Sequence, residues 1–226
     1  LEISDKIRER ERYDKVAATL LSDKELICKA RGALAYPLPL RSPYDFFHKC
    51  VSEVIDANSS VLEIGSGNGN HVFELLETGA KITATDVSET SLAVIKKITS
   101  DKKLDIQMAD MEALPFAEAT FDYVTSAGSL SYGSNTLVLD EVHRVIKPGG
   151  AFLCVDSLNH NPIYRVNRFF HYLRGKRTKS TLLNMPTLSL IEQYQKKFGS
   201  VDLQFFGSLI WAVPVLSKIL GEIKAK

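Results

Sequence analysis

The sequence predicts an α/β fold, a parallel sheet with helices on both faces. Two observations carry this. Apolar, strand-like runs alternate with helical patterns from 61 to about 156, which is the signature of βαβ units. The run at 61–64 passes into glycine at 65, 67 and 69 and then into a helical pattern at Val72, Phe73, Leu75 and Leu76. Strand, glycine turn and helix let a polar ligand lie against bare backbone at a helix start. Size sets the bound: 226 residues, 45% apolar and 24% charged, make one large domain or one domain with an appended lid.

Residues 1–30 predict a charged helix, with Ile7, Tyr13, Val16, Ala17, Leu20 and Leu21 at helical intervals. Gly32 and the prolines at 37, 39 and 43 predict a break into loop. A helical pattern resumes over 44–56 through Phe47, Val51, Val54 and Ile55. This front section, 1–58, is too small for its own core and reads as a helical lid on a core at 59–226. In the core, strands are predicted at 61–65, 81–86, 104–108, 121–126 and 150–156, and helices at 69–78, 89–100 and 136–146. Ser88 suits an N-cap with Glu89 in the first turn, and Pro148-Gly149-Gly150 predicts a sharp helix stop before the fifth strand.

A formal net charge of +1 argues against nucleic acid as a partner. The three cysteines, Cys28, Cys50 and Cys154, lack metal-ligand spacing and sit in apolar surroundings, so they read as reduced core residues of a cytoplasmic protein with no metal. No apolar run has the length of a membrane helix, and the polar start of the chain does not read as a signal peptide.

The glycine spacing separates ligand classes. A dinucleotide fingerprint would need a third glycine at 70, which is Asn70. Glu63, two residues before the first glycine, would repel a pyrophosphate and attract a ligand carrying an ammonium and a sulfonium. A nicotinamide-dependent oxidoreductase is disfavoured on both counts. Asp86 ends the second strand about 20 residues beyond the glycine turn, a place suited to two ribose hydroxyls. Asp110 and Met111 follow the third strand, an acceptor for an adenine amino group and an apolar neighbour for its ring. Small residues at Ser126, Ala127 and Gly128 leave room after the fourth strand.

In order along the chain, these segments resemble class I S-adenosylmethionine (SAM)-dependent methyltransferases of the small-molecule type. The likeness rests on Glu63-x-Gly-x-Gly-x-Gly, Asp86, Asp110-Met111-Glu112-Ala113-Leu114-Pro115-Phe116, Phe121-Asp122-x-Val124, and Glu141-x-x-Arg144-Val-Ile-Lys-Pro-Gly-Gly. It implies a Rossmann-like mixed sheet of seven strands, the last antiparallel, and SAM as cofactor with S-adenosylhomocysteine as product. It further implies that Glu63, Gly65, Ser66, Gly67 and Gly69 hold the methionine portion and that Asp86 takes the ribose. Val87 would pack on adenine, Asp110 and Met111 would line its edge, and Ser126 and Ala127 would sit near the methyl donor. Tyr13-Asp14 is similar to a Tyr-Asp motif that closes over SAM in relatives, and also reads as core packing.

Specificity is expected in an insertion at about 157–190. There is no Asp or Glu from 157 to 191, while Arg165, Arg168, Arg174, Lys176, Arg177 and Lys179 accompany an apolar stripe of Ile163, Val166, Phe169, Phe170 and Leu173. Asn161-Pro162 reads as a helix start and Gly175 as its stop. Three readings stand: a solvated basic helix, recognition of an anionic substrate by Arg165 and Arg168, and peripheral contact with an anionic membrane. The apolar stretch 207–216 reads as a last strand and then a helix, or as support for membrane contact. Through Asn-Pro-Ile-Tyr-Arg, His-Tyr-Leu-Arg-Gly-Lys-Arg and Phe-Phe-Gly-Ser, 157–216 also resembles methyltransferases of bacterial polysaccharide and lipopolysaccharide assembly. That implies a sugar or glycan hydroxyl as acceptor. The alternatives are C- or O-methylation of a quinone-like or other apolar metabolite, and a SAM-binding protein without catalysis. His160, just past the fifth strand, is the candidate base, with His48 as a second.

Overall fold

The computed structural model describes residues 3–23, 36, 38–160 and 162–207. The expected core position of Cys28, the loop at Gly32 and Pro37, the helix start at Asn161, and the strand and helix expected over 208–216 lie outside the described residues. The elements are α1 (Ile3–Ser22), α2 (Leu38–Val54), β1 (Ser60–Ile64), α3 (Val72–Glu77), β2 (Lys81–Asp86), α4 (Glu89–Ile98) and β3 (Leu104–Met108). Then come β4 (Phe121–Ala127), a 3-10 turn (Leu130–Tyr132), α5 (Asn135–Val145), β5 (Ile146–Val155), α6 (Pro162–Leu173), α7 (Lys179–Leu183) and α8 (Leu188–Phe198).

The five strands form one sheet in the order β3-β2-β1-β4-β5, and every pairing is parallel. The expectation of seven strands with a reversed last strand is corrected to five parallel strands among the described residues. Residues 201–207, leading into the expected last strand, lie in no ladder. The inner strands β1, β2 and β4 bury both faces, as a parallel sheet under helices must, while the edge strands β3 and β5 are more exposed. Val61 and Ile82 point to the face packed by Phe47 and Val51 of α2 and Leu75 of α3. Leu62, Ile64 and Val124 point to the opposite face, against Val138, Val142 and Val145 of α5. Beside α3, Leu92 and Ile95 of α4 pack with Val72 on Ala84.

Two local expectations change. Prolines 39 and 43 fall inside α2 and do not break the chain into loop. A proline in the first turn forgoes an N–H that has no intrahelical partner, and the Phe47–Val51–Ile55 stripe buried on the sheet offsets the bond lost at Pro43. Pro148-Gly149-Gly150 lies within β5 rather than before it. Helix α5 already ends at Val145, Ile146 pairs with Phe121, and the register then shifts before Tyr123 meets Ala151. A Cβ on Gly150 would stand 2.3 Å from the Asp122 carbonyl oxygen, so only glycine lets the strand rejoin its partner there. Of the other cysteines, Cys50 is half-buried and Cys154 lies on β5, the edge strand of the described sheet.

The shared sequence motifs are structural ties. Arg144 donates to the carbonyls of Leu114 (2.9 Å) and Phe116 (2.6 Å), and Glu141 accepts from the Leu114 N–H at 2.6 Å. The Glu-x-x-Arg pair thus clamps the Leu-Pro-Phe loop to α5. Asp122 accepts from the Ser60 N–H and hydroxyl and from Lys147, joining the starts of β1, β4 and β5. Ser88 caps α4 as expected, accepting from the Ser91 N–H at 2.9 Å.

At Gly69 (φ +83°) a Cβ would lie 2.8 Å from Ile95 Cγ1, so this turn sets how closely α4 approaches. Gly69→Ala is expected to lower stability by about 1–3 kcal/mol through backbone strain and overpacking. Urea unfolding checks this, and a change within about 0.5 kcal/mol would show that the contact is not tight.

Candidate functional site

The strand order reverses between β1 and β4, whose outward neighbours are β2 and β5. Connections leave that edge in opposite directions, so a crevice opens at the carboxyl ends of the central strands. The glycine turn borders it. At Gly65 a Cβ would stand 2.5 Å from Ser129 Cβ, so β1 and the β4 exit meet without room for a side chain. At Gly67 nothing lies within 4 Å of a Cβ; bare backbone faces open space. The Gly67 N–H donates to Asp86 Oδ2 at 2.9 Å, and Asp86 Oδ1 accepts from the Ser88 N–H at 2.8 Å. Burial raises the Asp86 carboxyl against those two bonds. Ser66 turns inward, its hydroxyl donating to the Thr85 carbonyl at 3.1 Å; this side chain braces the turn.

Glu63 is the most informative group in the crevice. It is buried, and among the described residues its Oε2 has no hydrogen-bond partner. Burial, with the neighbouring charges of Glu74 and Asp86, pushes its carboxyl up to about 8. A desolvated carboxylate beside two further acids is costly unless a cation meets it. A ligand with an ammonium and a sulfonium fits that need.

Helix α1 lies against α4 and ties to several parts of the crevice rim. Ser88 donates its hydroxyl proton to Asp14 at 2.6 Å. Lys6 pairs with Asp110 (2.6 Å) and Glu112 (2.5 Å). Asp110 therefore carries a cation from α1, a partner that no spacing in the sequence reveals. Met111 packs beneath, its Cε 4.0 Å from a Cβ at Gly65 and its Sδ 3.3 Å from one at Gly133. Val87 presents an exposed apolar side chain next to Asp86. Tyr13 meets Tyr132 edge to face at 5.5 Å with the Arg12 guanidinium 4.3 Å over its ring, and burial raises its phenol.

On the β4 and β5 side, Ser126 and Ser129 share a hydrogen bond of 2.7 Å, and Ser129 reaches the Ile64 carbonyl at 3.2 Å. Ser126 is fully buried in this tie, while Ala127 is half-buried beside it. Asp156, at the end of the expected fifth strand, accepts from the Leu130 and Ser157 N–H groups. Burial still holds its carboxyl up at about 6.

An aromatic and histidine wall completes the crevice, and sequence reasoning found only His48 of it. Tyr36 stacks on Tyr44 at 3.8 Å, and Tyr44 stacks on His71 at 5.2 Å. The Tyr44 hydroxyl lies 3.3 Å from a Cβ at Gly128, at the β4 exit. Tyr36 hydroxyl and His71 Nε2 are 3.1 Å apart, and His71 Nδ1 and His48 Nε2 are 2.8 Å apart. Burial lowers both imidazoles, His71 to about 3 with help from His48. Tyr36 also feels Glu63 and Asp156. The signal available in the sequence was His71 standing immediately after the glycine turn. His160, by contrast, lies exposed in the turn before α6.

In the insertion, Arg168 of α6 lines a cleft with Arg12, Asn167, His171, Lys176 and Arg177, whereas Arg165 is exposed and lines no part of it. Among the described residues, no group of histidines, cysteines and carboxylates could hold a metal, and no helix is long and apolar enough to cross a membrane.

Comparison with known proteins agrees with this geometry. The model of the methyltransferase domain family matches residues 62–154. A demethylmenaquinone methyltransferase of Lactococcus lactis is 33% identical over 114 residues, covering 47% of this chain and 45% of that protein. A sterol 4-C-methyltransferase of Caenorhabditis elegans is 28% identical over 128 residues, covering 54% of this chain and 38% of that protein. The chain thus spans less than half the length of these relatives. In fold it is similar to geranyl diphosphate C-methyltransferase of Streptomyces coelicolor, solved with S-adenosyl-L-homocysteine. The TM-score is 0.56 at 14% identity, over 73% of this chain and 62% of that one. These relatives are named for sterols and quinones, so the expected likeness to polysaccharide-assembly enzymes is not carried by them. The strand-order reversal, the Glu63 carboxyl and the family match converge on one segment: residues 62–154 carry a methyltransferase domain of the SAM-dependent kind.

Proposed function

We propose that the protein transfers the methyl group of SAM to a small, ring-bearing apolar acceptor, at carbon or at a hydroxyl oxygen. The observation that carries the reading is the buried Glu63 carboxylate with an unpartnered oxygen, set beside the stacked Tyr36, Tyr44 and His71. Glu63 would hold the cationic end of the cofactor, the open backbone at Gly67 would lie along it, Asp86 would take the ribose hydroxyls, and Val87 and Met111 would flank the adenine. Bound SAM supplies a methyl already activated on a sulfonium, which a nucleophile displaces in line to leave S-adenosylhomocysteine. The residues around it hold the acceptor in line, which is a large part of the rate, and take up the proton that the acceptor sheds.

For that proton the hydrogen-bonded chain is a better route than His160. Both imidazoles are held neutral near pH 7 by burial. With the Tyr36 hydroxyl donating to His71 Nε2, the His71 Nδ1–H donates to His48 Nε2, an assignment that follows from the network. Tyr36 can then hand its proton inward as it receives one from the acceptor, and His48 passes a proton outward. The relatives named for quinones and sterols support an apolar acceptor. A second reading, a sugar or glycan hydroxyl, is favoured by the cationic cleft beside α6.

Four measurements test this. Glu63→Gln is expected to weaken S-adenosylhomocysteine binding at least about tenfold, the scale of one lost charge-assisted bond, in calorimetric titration. The wild-type carboxyl is raised to about 8 when folded, so its protonated form favours the fold below the unfolded value, and that contribution fades as pH rises through 8. The ligand-free Glu63→Gln protein should therefore melt higher than wild type at pH 8–9, a window taken from that value. Unchanged affinity would remove Glu63 from the cofactor site. With labelled SAM and a mixed panel, label is expected in a short-chain demethylmenaquinol and not in nucleotide sugars; label confined to the sugars would favour the second reading. His48→Gln is expected to lower kcat on the labelled acceptor about 100-fold while S-adenosylhomocysteine affinity stays within about twofold. A full kcat in that variant would exclude the relay.

A further inference from the structure

The cleft between α1, α6 and the turn before α7 has a volume of about 330 Å³ and is lined by Arg12, Asn167, Arg168, His171, Lys176 and Arg177. Among the described residues, no carboxylate lines it. Two acids that meet these cations make other bonds as well. Glu9 pairs with Arg12 at 2.8 Å and accepts from the Thr178 N–H at 3.1 Å. Asp156, which attracts Arg168, accepts two backbone N–H groups. Arg12 and Arg177 both donate to the Tyr132 hydroxyl and repel each other. Four cationic side chains gathered on so few acids are costly to hold together, and guanidinium forks match the oxygens of a phosphate two at a time.

The place is as telling as the charge. Tyr132 ends the 3-10 turn that follows the β4 exit, and its ring packs on Tyr13. Asp156, beside Arg168, stands at the carboxyl end of β5. The cleft therefore lies beside the Tyr13–Tyr132 pair and close to the carboxyl end of β5.

We propose that this cleft is an anion site that takes a phosphate-type head group carried by the methyl acceptor. The words "methyl acceptor" rest on the function proposed above; the anion site itself does not. Arg12, Lys176 and Arg177 join Arg168 in it, and Arg165 does not take part. A ring-bearing apolar acceptor with a diphosphate head would lay that head among the cations and its ring toward the aromatic wall, and so would be held better than the short-chain demethylmenaquinol of the label test, which lacks the head.

The test is calorimetric titration of the full chain at low salt with inorganic pyrophosphate, with decyl diphosphate and with decanol. Wild type is expected to bind pyrophosphate, to bind decyl diphosphate at least about tenfold more tightly through its added apolar contact, and to bind decanol weakly. Lys176→Gln with Arg177→Gln is expected to weaken pyrophosphate at least about tenfold, with S-adenosylhomocysteine affinity within about twofold as the check on folding and on the cofactor site. Lys176→Gln alone, at an exposed position, is expected to give a smaller loss in the same direction. Equal pyrophosphate binding by wild type and double variant, or none by wild type, would overturn the anion site. Decyl diphosphate binding no tighter than pyrophosphate would overturn its assignment to the acceptor and leave a site for a free anion. Loss of S-adenosylhomocysteine binding by wild type would instead strike the methyltransferase reading, so the two failures are distinguishable.

Discussion

A carboxylate taken out of water at the point where the strand order turns is the constraint on which the site depends. Glu63 sits at the end of a strand buried on both faces, with Glu74 and Asp86 close by and an oxygen that no described residue meets with a hydrogen bond. A group in that state holds its proton or waits for a cation. The glycine turn makes the waiting possible, because Gly67 keeps open space above the backbone while Gly65 and Gly69 draw Ser129 and Ile95 close on either side. The fold thus supplies a cleft that is tight at its edges and vacant at its centre, with the acid at the end where a sulfonium would be stabilised.

Helix α1 holds the rim by polar contacts more than by apolar packing. Asp5 and Glu9 reach Ser180 and Thr178 of the α7 start, Lys6 reaches the 110–112 loop, Asp14 reaches Ser88, and Arg12 reaches Tyr132. Each such contact is worth about 0.5–1.5 kcal/mol net when only partly buried, so the helix is joined to the rim by many small terms spread over its length. That arrangement suits an element that must be in place over a ligand and also let it pass. It also links the 110–112 loop, through Lys6 and Asp110, to the cationic cleft, through Arg12, along a single helix.

The motifs that carry the family resemblance divide into two physical kinds. Glu141 and Arg144, Asp122 with Lys147, and Gly150 hold loops and strand starts in register. Glu63, Gly67 and Asp86 border the crevice at the strand-order reversal. Both kinds look alike in a linear pattern, since each is a polar or glycine residue at a fixed offset from a strand. Ser66 and Ser126 show the consequence: both stand at expected cofactor positions, and both hydroxyls are committed to internal bonds.

By itself the sequence determined what local periodicity and local chemistry can encode. The five strands at 61–156, the Ser88 cap, the glycine turn and the acids at the ends of β1 and β2 all follow from residues within a few positions of one another. Tertiary structure decided whatever depends on which distant segments meet. Lys6 and Asp110 are separated by 104 residues, Tyr36 and His71 by 35, Arg177 and Tyr132 by 45, and no offset rule brings such pairs together. It also decided the cases where a local rule lost: prolines 39 and 43 stayed helical because the buried face of α2 outweighed one absent bond, and Pro148-Gly149-Gly150 entered a strand because Phe121 and Tyr123 offered partners on either side of it. Propensity sets a preference of about a kilocalorie at each residue, and burial against the sheet is larger than that.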